Sequence, residues 1–225
     1  MKDKLIIAHR GASAYAKDNT LDSFSKAIQM GADMIEFDVR RTLDGILIAQ
    51  HDPTIQSKRI ADTTYADIKT IDSDIPTYEE VLKFTRGKIK LDIELKDTGY
   101  EKEAADLVLT CFDTGDFIIT SFKSRCLEVI KSYNPKIKLG LILGQNQSKE
   151  GAFPIKQALN VGADYLMLEY KLASENLLKS ARESGLEVMV WTVNTEYELR
   201  TFLANHLIDG VISNYPDIAM ASRNG

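Results

Sequence analysis

A closed (β/α)8 barrel of the TIM type, an α/β fold, is the architecture this sequence predicts. Three observations predict it. Short β-branched runs alternate with helix-length segments from end to end. Glycine stands at the joins from helix to strand, at Gly31, Gly162 and Gly185, where a left-handed residue ends a helix. The 225 residues contain no linker or shift in composition, so residues 1–225 read as one barrel domain. An open doubly wound sheet is the alternative.

In chain order the strand-like runs are Leu5–His9, Met34–Val39, Ile46–His51, Ile89–Leu95, Phe117–Ser121, Lys138–Leu143, Asp164–Leu168, Glu187–Thr192 and Gly210–Ser213. Leu21, Phe24 and Ile28 follow helical spacing, with Asn19 as the expected N-cap. Residues 101–109, 124–132, 174–184 and 196–205 also read as helices. No proline falls inside a strand-like run. Gly-Ala-Asp at 31–33 and 162–164 is a weak internal repeat. Nine strands exceed an eight-stranded barrel by one. The second and third are joined by about six residues, too few for a parallel crossover. Asp44-Gly45 between them is a hairpin signal. Ile46–His51 is therefore expected as a hairpin return, with a small insertion after it, above the C-terminal rim. A two-residue turn would pair position n with 89 − n and set Asp38 opposite His51; a bulged turn would shift the pairing by one.

Composition narrows the function classes. Hydrophobic residues make up 44% and charged residues 27%, which excludes a disordered chain. A net charge of −5 argues against a broad nucleic-acid surface. No apolar run approaches the about 18 residues of a membrane span. The Leu5–Ala8 run is too short for a signal peptide. Cys111 and Cys126 lie on apolar-periodic segments and read as reduced core residues. A cytoplasmic protein without a stable membrane anchor is the expectation.

The chemistry is expected at the C-terminal ends of the strands. His9-Arg10 stands there, with Glu36 and Asp38, His51-Asp52, Glu94 and Lys96, Ser121-Phe122, Glu169, Trp191 and Ser213-Asn214. Two of the three histidines share this rim. Glu36 and Asp38 are two apart and leave one face of a strand, as do Glu94 and Lys96. Converging carboxylates repel unless a cation lies among them. The plain reading of Glu36, Asp38 and Glu94 is a salt-bridge cluster with Arg40, Arg41 and Lys96. The sharper one is a site for one hard divalent cation, Mg²⁺ or Ca²⁺. Arg10 could brace Glu36 or Asp18, or hold a phosphate. Three carboxylates, a divalent cation, Arg10, Lys96 and one phosphodiester balance in charge. His9 and His51 are candidate proton-transfer groups. His206 ends a helix and reads as structural.

In order and spacing these motifs resemble the glycerophosphodiester phosphodiesterase family through nearly the whole chain. The carriers are His9-Arg10-Gly11, Asn19-Thr20-Leu21 with Phe24 and Ala27, the run from Gly31 to Val39, Thr42-Leu43-Asp44-Gly45 with His51-Asp52-Pro53-Thr54, Ile75-Pro76-Thr77, Ile93-Glu94-Leu95-Lys96, Ser121-Phe122, the run from Trp191 to Asn194, and the run from Asp209 to Ile212. The resemblance implies a (β/α)8 barrel and metal-dependent hydrolysis of a small-molecule glycerophosphodiester to an alcohol and glycerol 3-phosphate. It implies metal ligation by Glu36, Asp38 and Glu94, acid and base roles for His9 and His51, and phosphate contacts from Arg10 and Lys96. Trp191 would pack on the glycerol or alcohol moiety. Asp18, Phe122 and Glu169 are secondary candidates. Three departures stand out: Asp18 replaces the usual Glu, Ser213-Asn214 replaces Thr-Asp, and the segment from Pro53 to Ile75 is short. The competing readings are a lyase-type phospholipase on a related barrel, which would stop at a cyclic phosphate, and a non-catalytic barrel that binds phosphodiesters.

Overall fold

The computed structural model describes residues 3–145 and 154–224. The strands are β1 (Leu5–His9), β2 (Met34–Arg41), β3 (Leu47–Ala49), β4 (Thr54–Ile55), β5 (Lys58–Arg59), β6 (Lys90–Leu95), β7 (Phe117–Ser121), β8 (Lys138–Leu143), β9 (Tyr165–Glu169), β10 (Glu187–Trp191) and β11 (Gly210–Ser213). The helices are α1 (Leu21–Gln29), α2 (Tyr65–Ile71), α3 (Tyr78–Thr85), α4 (Glu101–Leu109), α5 (Ser124–Tyr133), α6 (Pro154–Asn160), α7 (Glu175–Glu183), α8 (Glu196–Ala204) and α9 (Pro216–Asn224).

β1, β2 and β6 to β11 pair in parallel around a circle, and β1 pairs with both β2 and β11. Closure leaves the barrel no free edge. Each barrel strand sends alternate side chains to opposite faces. On β2, Ile35, Phe37 and Val39 point out and join the core between barrel and helices, while Met34 joins a second cluster with Ile7, Ile118, Ile142, Met167, Met189 and Ile212. That second cluster fills the barrel interior. Gly31, Gly162 and Gly185 adopt positive φ, as their places before strands require.

The extra strand is a hairpin return: β3 lies antiparallel to β2. Its register differs from the two-residue-turn expectation by one residue. Val39 pairs with Ala49 and Arg41 with Leu47, so Asp38 faces Gln50 rather than His51. The cause is a three-residue turn over Leu43, Asp44 and Gly45. Thr42 N–H donates to Ile46 O, and Gly45 takes φ +86°. Ile48, Ile60, Ile68 and Ile75 form a small separate core under the insertion. That core fixes the hairpin on the rim.

Asn19 is not the N-cap of α1. Thr20 is: its hydroxyl accepts from Ser23 N–H, and Ser23 Oγ accepts from Thr20 N–H. Asn19 precedes the cap with φ +55°. Helices α2, α3, α6 and α9 lie outside the helical segments expected from the sequence. α3 is set by the capping box of Thr77 and Glu80. Cys126 is buried, Cys111 is half-buried, and both are free. Among the described residues no helix is long and apolar enough to cross a membrane.

The chain leaves β1 through two left-handed residues, Arg10 at φ +54° and Gly11 at φ +78°. A Cβ at Gly11 would lie 2.4 Å from Ser23 Oγ and 2.6 Å from the Ser23 carbonyl carbon. This turn aims His9 and Arg10 and seats them on α1. Gly11→Ala is expected to cost about 1–3 kcal/mol of stability, from strain plus that clash. Urea unfolding checks it, and an unchanged midpoint would contradict the steric argument.

Candidate active site

Strand register assembles the site. His9 on β1 pairs with Glu36 on β2, and Glu36 pairs with Asp92 on β6. One step further along, Asp38 pairs with Glu94. Alternation turns all of these side chains inward, with Lys96 just beyond the end of β6 on the same face. Glu36, Asp38 and Glu94 are buried, and ligating oxygens from the three lie within 4.8 Å of one another. A cavity of about 80 Å³ opens here, lined on its polar side by His9, Arg10, Glu36, His51, Asp92, Glu94, Lys96 and Thr120. Phe122, Ile142, Met167, Trp191 and Ile212 line the rest.

Two cations hold the carboxylates. Lys96 Nζ lies 2.6 Å from Glu94 Oε1 and 2.9 Å from Asp38 Oδ1. Arg10 Nε lies 3.2 Å from Asp38 Oδ2, and its Nη1 donates to Asp18 at 3.2 Å. The Arg10 backbone N–H donates to Glu36 Oε2 at 2.9 Å. Lys96 and Arg10 are close to Asp38 but off the angle of a hydrogen bond, so Asp38 Oδ1 and Arg10 Nε are buried without hydrogen-bond partners. A buried carboxylate oxygen with ionic neighbours and no donor is what a hard cation's ligand needs to be. The salt-bridge cluster foreseen as the plain reading is thus present through Lys96, but it leaves the triad under-satisfied. Arg40 and Arg41 are not part of it. Arg40 pairs with Asp97 at 2.5 Å, and Arg41 donates to Gly99 O.

Protonation follows from these surroundings. Burial pushes Glu36 well above the usual carboxylate range, with Asp38, Asp92 and Glu94 adding repulsion. Burial likewise raises Glu94 to about 7 against the pull of Lys96, and Asp92 to about 7 against its hydrogen bond from Thr120. Burial also works to raise Asp38, but Lys96 and Arg10 outweigh it and hold it below its ordinary value. A divalent cation among these groups would drive all of them toward the ionised form. Burial, then Arg10, lowers His9 to about 4. Burial, then Lys96, lowers His51, while Asp38 and Asp52 oppose the shift.

The histidines face different partners. His9 Nδ1 lies 2.7 Å from Asn214 Oδ1, an oxygen that only accepts, so Nδ1 carries the hydrogen. Nε2 is left on the site side, 3.9 Å from Glu36 Oε2. His51 Nδ1 is 2.8 Å from the Asp52 carboxylate. Arg40 Nε donates to His51 O at 2.8 Å, which ties the His51 loop to Asp97 and, through it, to Lys123. Trp191 packs edge-to-face on Phe122 at 5.6 Å and donates from Nε1 to Met167 O. Phe122 also lies 5.7 Å from Lys96 Nζ.

Most residues singled out in the sequence meet at this cavity. Asp18 reaches it only through Arg10. Glu169 accepts from Gln145 N–H and is not among the lining residues. Three participants escape the sequence reading. Asn19 grips Asp38 from both sides, donating from Nδ2 to Oδ2 at 2.8 Å and accepting Asp38 N–H at 3.1 Å. Asp92 and Thr120 form a hydrogen-bonded pair inside the barrel. Asp92 was detectable, since it is two residues before Glu94 and four before Lys96 on one strand face. Asn19 carried the signal of a helix cap and belonged to the Asn19-Thr20-Leu21 motif, and neither points to Asp38.

Comparison with known proteins agrees with this geometry. The sequence profile of the Glycerophosphoryl diester phosphodiesterase family matches residues 9–218. The chain belongs to this family. Family members with curated names include YhdW of Bacillus subtilis, 32% identical over 94% of this chain and 95% of that protein. A glycerophosphodiester phosphodiesterase of Caldanaerobacter subterraneus subsp. tengcongensis is 28% identical over 95% of each chain. Among solved structures, a phosphodiesterase of Oleispira antarctica in complex with the product sn-glycerol-3-phosphate superposes with a TM-score of 0.87 at 23% identity, covering 99% of this chain and 98% of that one. It shares the barrel fold.

Two pH effects follow. Without a cation, Glu94 binds its proton more tightly folded than unfolded, so its contribution is lost as pH rises from 4.5 through about 7. His9 has the opposite sign: its contribution is lost as pH falls from 6.5 through about 4. A cation must also displace the protons on Glu36 and Glu94. Apparent Mg²⁺ affinity is therefore expected to rise between about pH 6 and pH 8, with protons released on binding. Isothermal titration in buffers of different ionisation heat measures this; pH-independent binding would contradict it.

Proposed function

We propose that this chain hydrolyses glycerophosphodiesters to an alcohol and glycerol 3-phosphate. One observation carries the reading: His9, His51, Arg10, Lys96 and the Glu36–Asp38–Glu94 triad converge on one cavity at the C-terminal rim of a barrel of this family. The complex of the Oleispira antarctica protein with sn-glycerol-3-phosphate supports a small phosphate ester as the ligand class. Glu36, Asp38 and Glu94 would hold one divalent cation, Mg²⁺ or Ca²⁺. Such a cation neutralises the charge that develops on phosphoryl oxygens.

The protein's own groups divide the remaining work. Arg10 and Lys96 supply fixed positive charge beside the carboxylates and have donors left for phosphate oxygens. His9, neutral and hydrogen-bonded through Nδ1, offers Nε2 as a base to a hydroxyl nucleophile. That hydroxyl belongs to water or to the glycerol C2 position. His51 carries Asp52 on Nδ1, and a carboxylate stabilises an imidazolium where an amide does not. His51 is accordingly the acid that protonates the leaving oxygen. Arg40 and Asp97 keep its loop in place. Phe122 and Trp191 exclude water from one wall. A cytoplasmic setting is part of the proposal, supported by two free thiols.

Both histidine variants test it with the fold monitored by circular dichroism. His9→Ala and His51→Ala are each expected to lower kcat/KM on glycerophosphocholine by about 10²–10⁴-fold. An ester with a p-nitrophenol leaving group needs no acid, so it should largely restore His51→Ala and not His9→Ala. Full glycerophosphocholine turnover in either variant would refute the reading. Equal losses on both substrates for His51→Ala would reverse its assignment as the acid. Asn19→Ala removes both grips on Asp38 and is expected to weaken Mg²⁺ binding about 10–100-fold, measured by calorimetry.

A further inference from the structure

Barrel and hairpin diverge at Val39. This residue pairs with Leu95 of β6 on one side and with Ala49 of β3 on the other, and its pairing with Leu95 is the last between β2 and β6. Beyond it, Arg40 and Arg41 pair with β3. β6 itself ends at Leu95. A fork therefore opens between the hairpin, which leads to His51, and the segment that carries Lys96 and Asp97. Backbone groups in such a fork have lost their strand neighbours, and buried ones need other partners.

Tyr100 fills the fork. It is 3% exposed, and it belongs to the core between barrel and helices. Its hydroxyl donates to Val39 O at 2.6 Å and accepts from Asp97 N–H at 3.0 Å. Lys96 N–H donates to the same carbonyl at 3.2 Å. One phenol thus bolts the end of β2 to the residue after Lys96.

The bolt leads on to His51. Asp97 Oδ2 accepts from Arg40 Nη1 at 2.5 Å, and Arg40 Nε donates to His51 O at 2.8 Å. The Asp97 side chain is 46% exposed. An ion pair so open to water is weak and does not fix a geometry by itself. Asp97 is fixed by its main chain, held at N–H by Tyr100 and, more weakly, at its carbonyl by the thiol of Cys126. Tyr100 is the buried end of this chain of contacts, and His51 is the other end.

We propose that Tyr100 is a positioning residue for the reaction: its hydroxyl closes the fork and, through Asp97 and Arg40, holds His51 where it protonates the leaving oxygen. This assignment rests on the hydrolytic reading above, with His51 as the acid.

Tyr100→Phe keeps the ring and removes the bolt. The test measures kcat and KM, in the presence of Mg²⁺, on glycerophosphocholine and on the p-nitrophenyl ester of glycerol 3-phosphate, whose leaving group needs no acid. Tyr100→Phe is expected to lower kcat on glycerophosphocholine about 10-fold, with KM little changed, and to keep kcat on the nitrophenyl ester within about threefold. Both activities are read in one preparation, so an unfolded fraction cancels from their ratio. Asp97→Ala is expected to show the same selective loss. Adding Tyr100→Phe to it should cost little more, because both act on one chain of contacts. An unchanged ratio in Tyr100→Phe overturns the inference. So does an equal loss on both substrates, the mark of an effect through Lys96 or through the fold at large, and so do additive losses in the double variant. Should Tyr100→Phe not fold, Asp97→Ala decides: a selective loss supports the inference, and an equal loss or none overturns it. His51→Ala is the reference. Equal losses there remove the assignment of His51 as the acid, whereas a selective loss there without one in Tyr100→Phe overturns this inference alone.

Discussion

Repulsion among carboxylates is the constraint around which this barrel mouth is organised. Glu36, Asp38, Asp92 and Glu94 are brought together by the register of two adjacent strands and are all buried. Among the described residues only Arg10 and Lys96 approach them as cations. Like charges in a low-dielectric space cannot all ionise at ordinary cost. The protein has two outlets: retain protons on Glu36, Asp92 and Glu94, or accept a cation. The raised values of Asp92 and Glu94 express the first outlet. The under-satisfied Asp38 oxygen expresses the second. A divalent cation held here would compete with those protons, and that coupling to pH would come from barrel geometry rather than from any single residue.

The fold was legible because its signals are local. Glycines before strands, β-branched runs and the absence of proline inside them identify eight barrel strands without any tertiary information. The hairpin was legible as a hairpin, but its register was not. Asp44-Gly45 marks a turn, while the choice between two and three turn residues depends on Thr42, whose hydroxyl and amide both engage Ile46. That single residue moves His51 away from Asp38. The core of the site was legible for a related reason: strand periodicity puts Glu36 with Asp38 and Glu94 with Lys96. What could not be read were partners that meet only through closure. Asn214 reaches His9 across 205 positions of sequence, and Asn19 reaches Asp38 from a loop. Glu169 shows the converse. It stands at a strand end like the others, yet it is spent on the backbone of Gln145.

Closure also explains why the two histidines need not be equivalent. His9 belongs to β1 and is fixed by the barrel itself, with β11 providing Asn214 just beyond its end. His51 lies past the end of β3 on an added hairpin, and its anchorage is a chain of polar contacts through Arg40 and Asp97. The first is half-buried, carried by a barrel strand and paired with a neutral amide. The second is more exposed and paired with a carboxylate. These settings differ in the direction that the proposed division of labour between His9 and His51 calls for.

Neutral amides are the complement of the crowded charge. Asn19 holds Asp38 by one donor and one acceptor, and Asn214 fixes the His9 tautomer by one acceptor. Each gives orientation without adding to the net charge. An aspartate at 214, the residue expected from the family resemblance, would place another carboxylate next to His9, at Nδ1. It would favour the imidazolium and raise the proton affinity of His9. This chain already has a fourth carboxyl in the barrel, Asp92, pressing on Glu36. Asn214 fixes the tautomer of His9 while the mouth is spared a further negative charge.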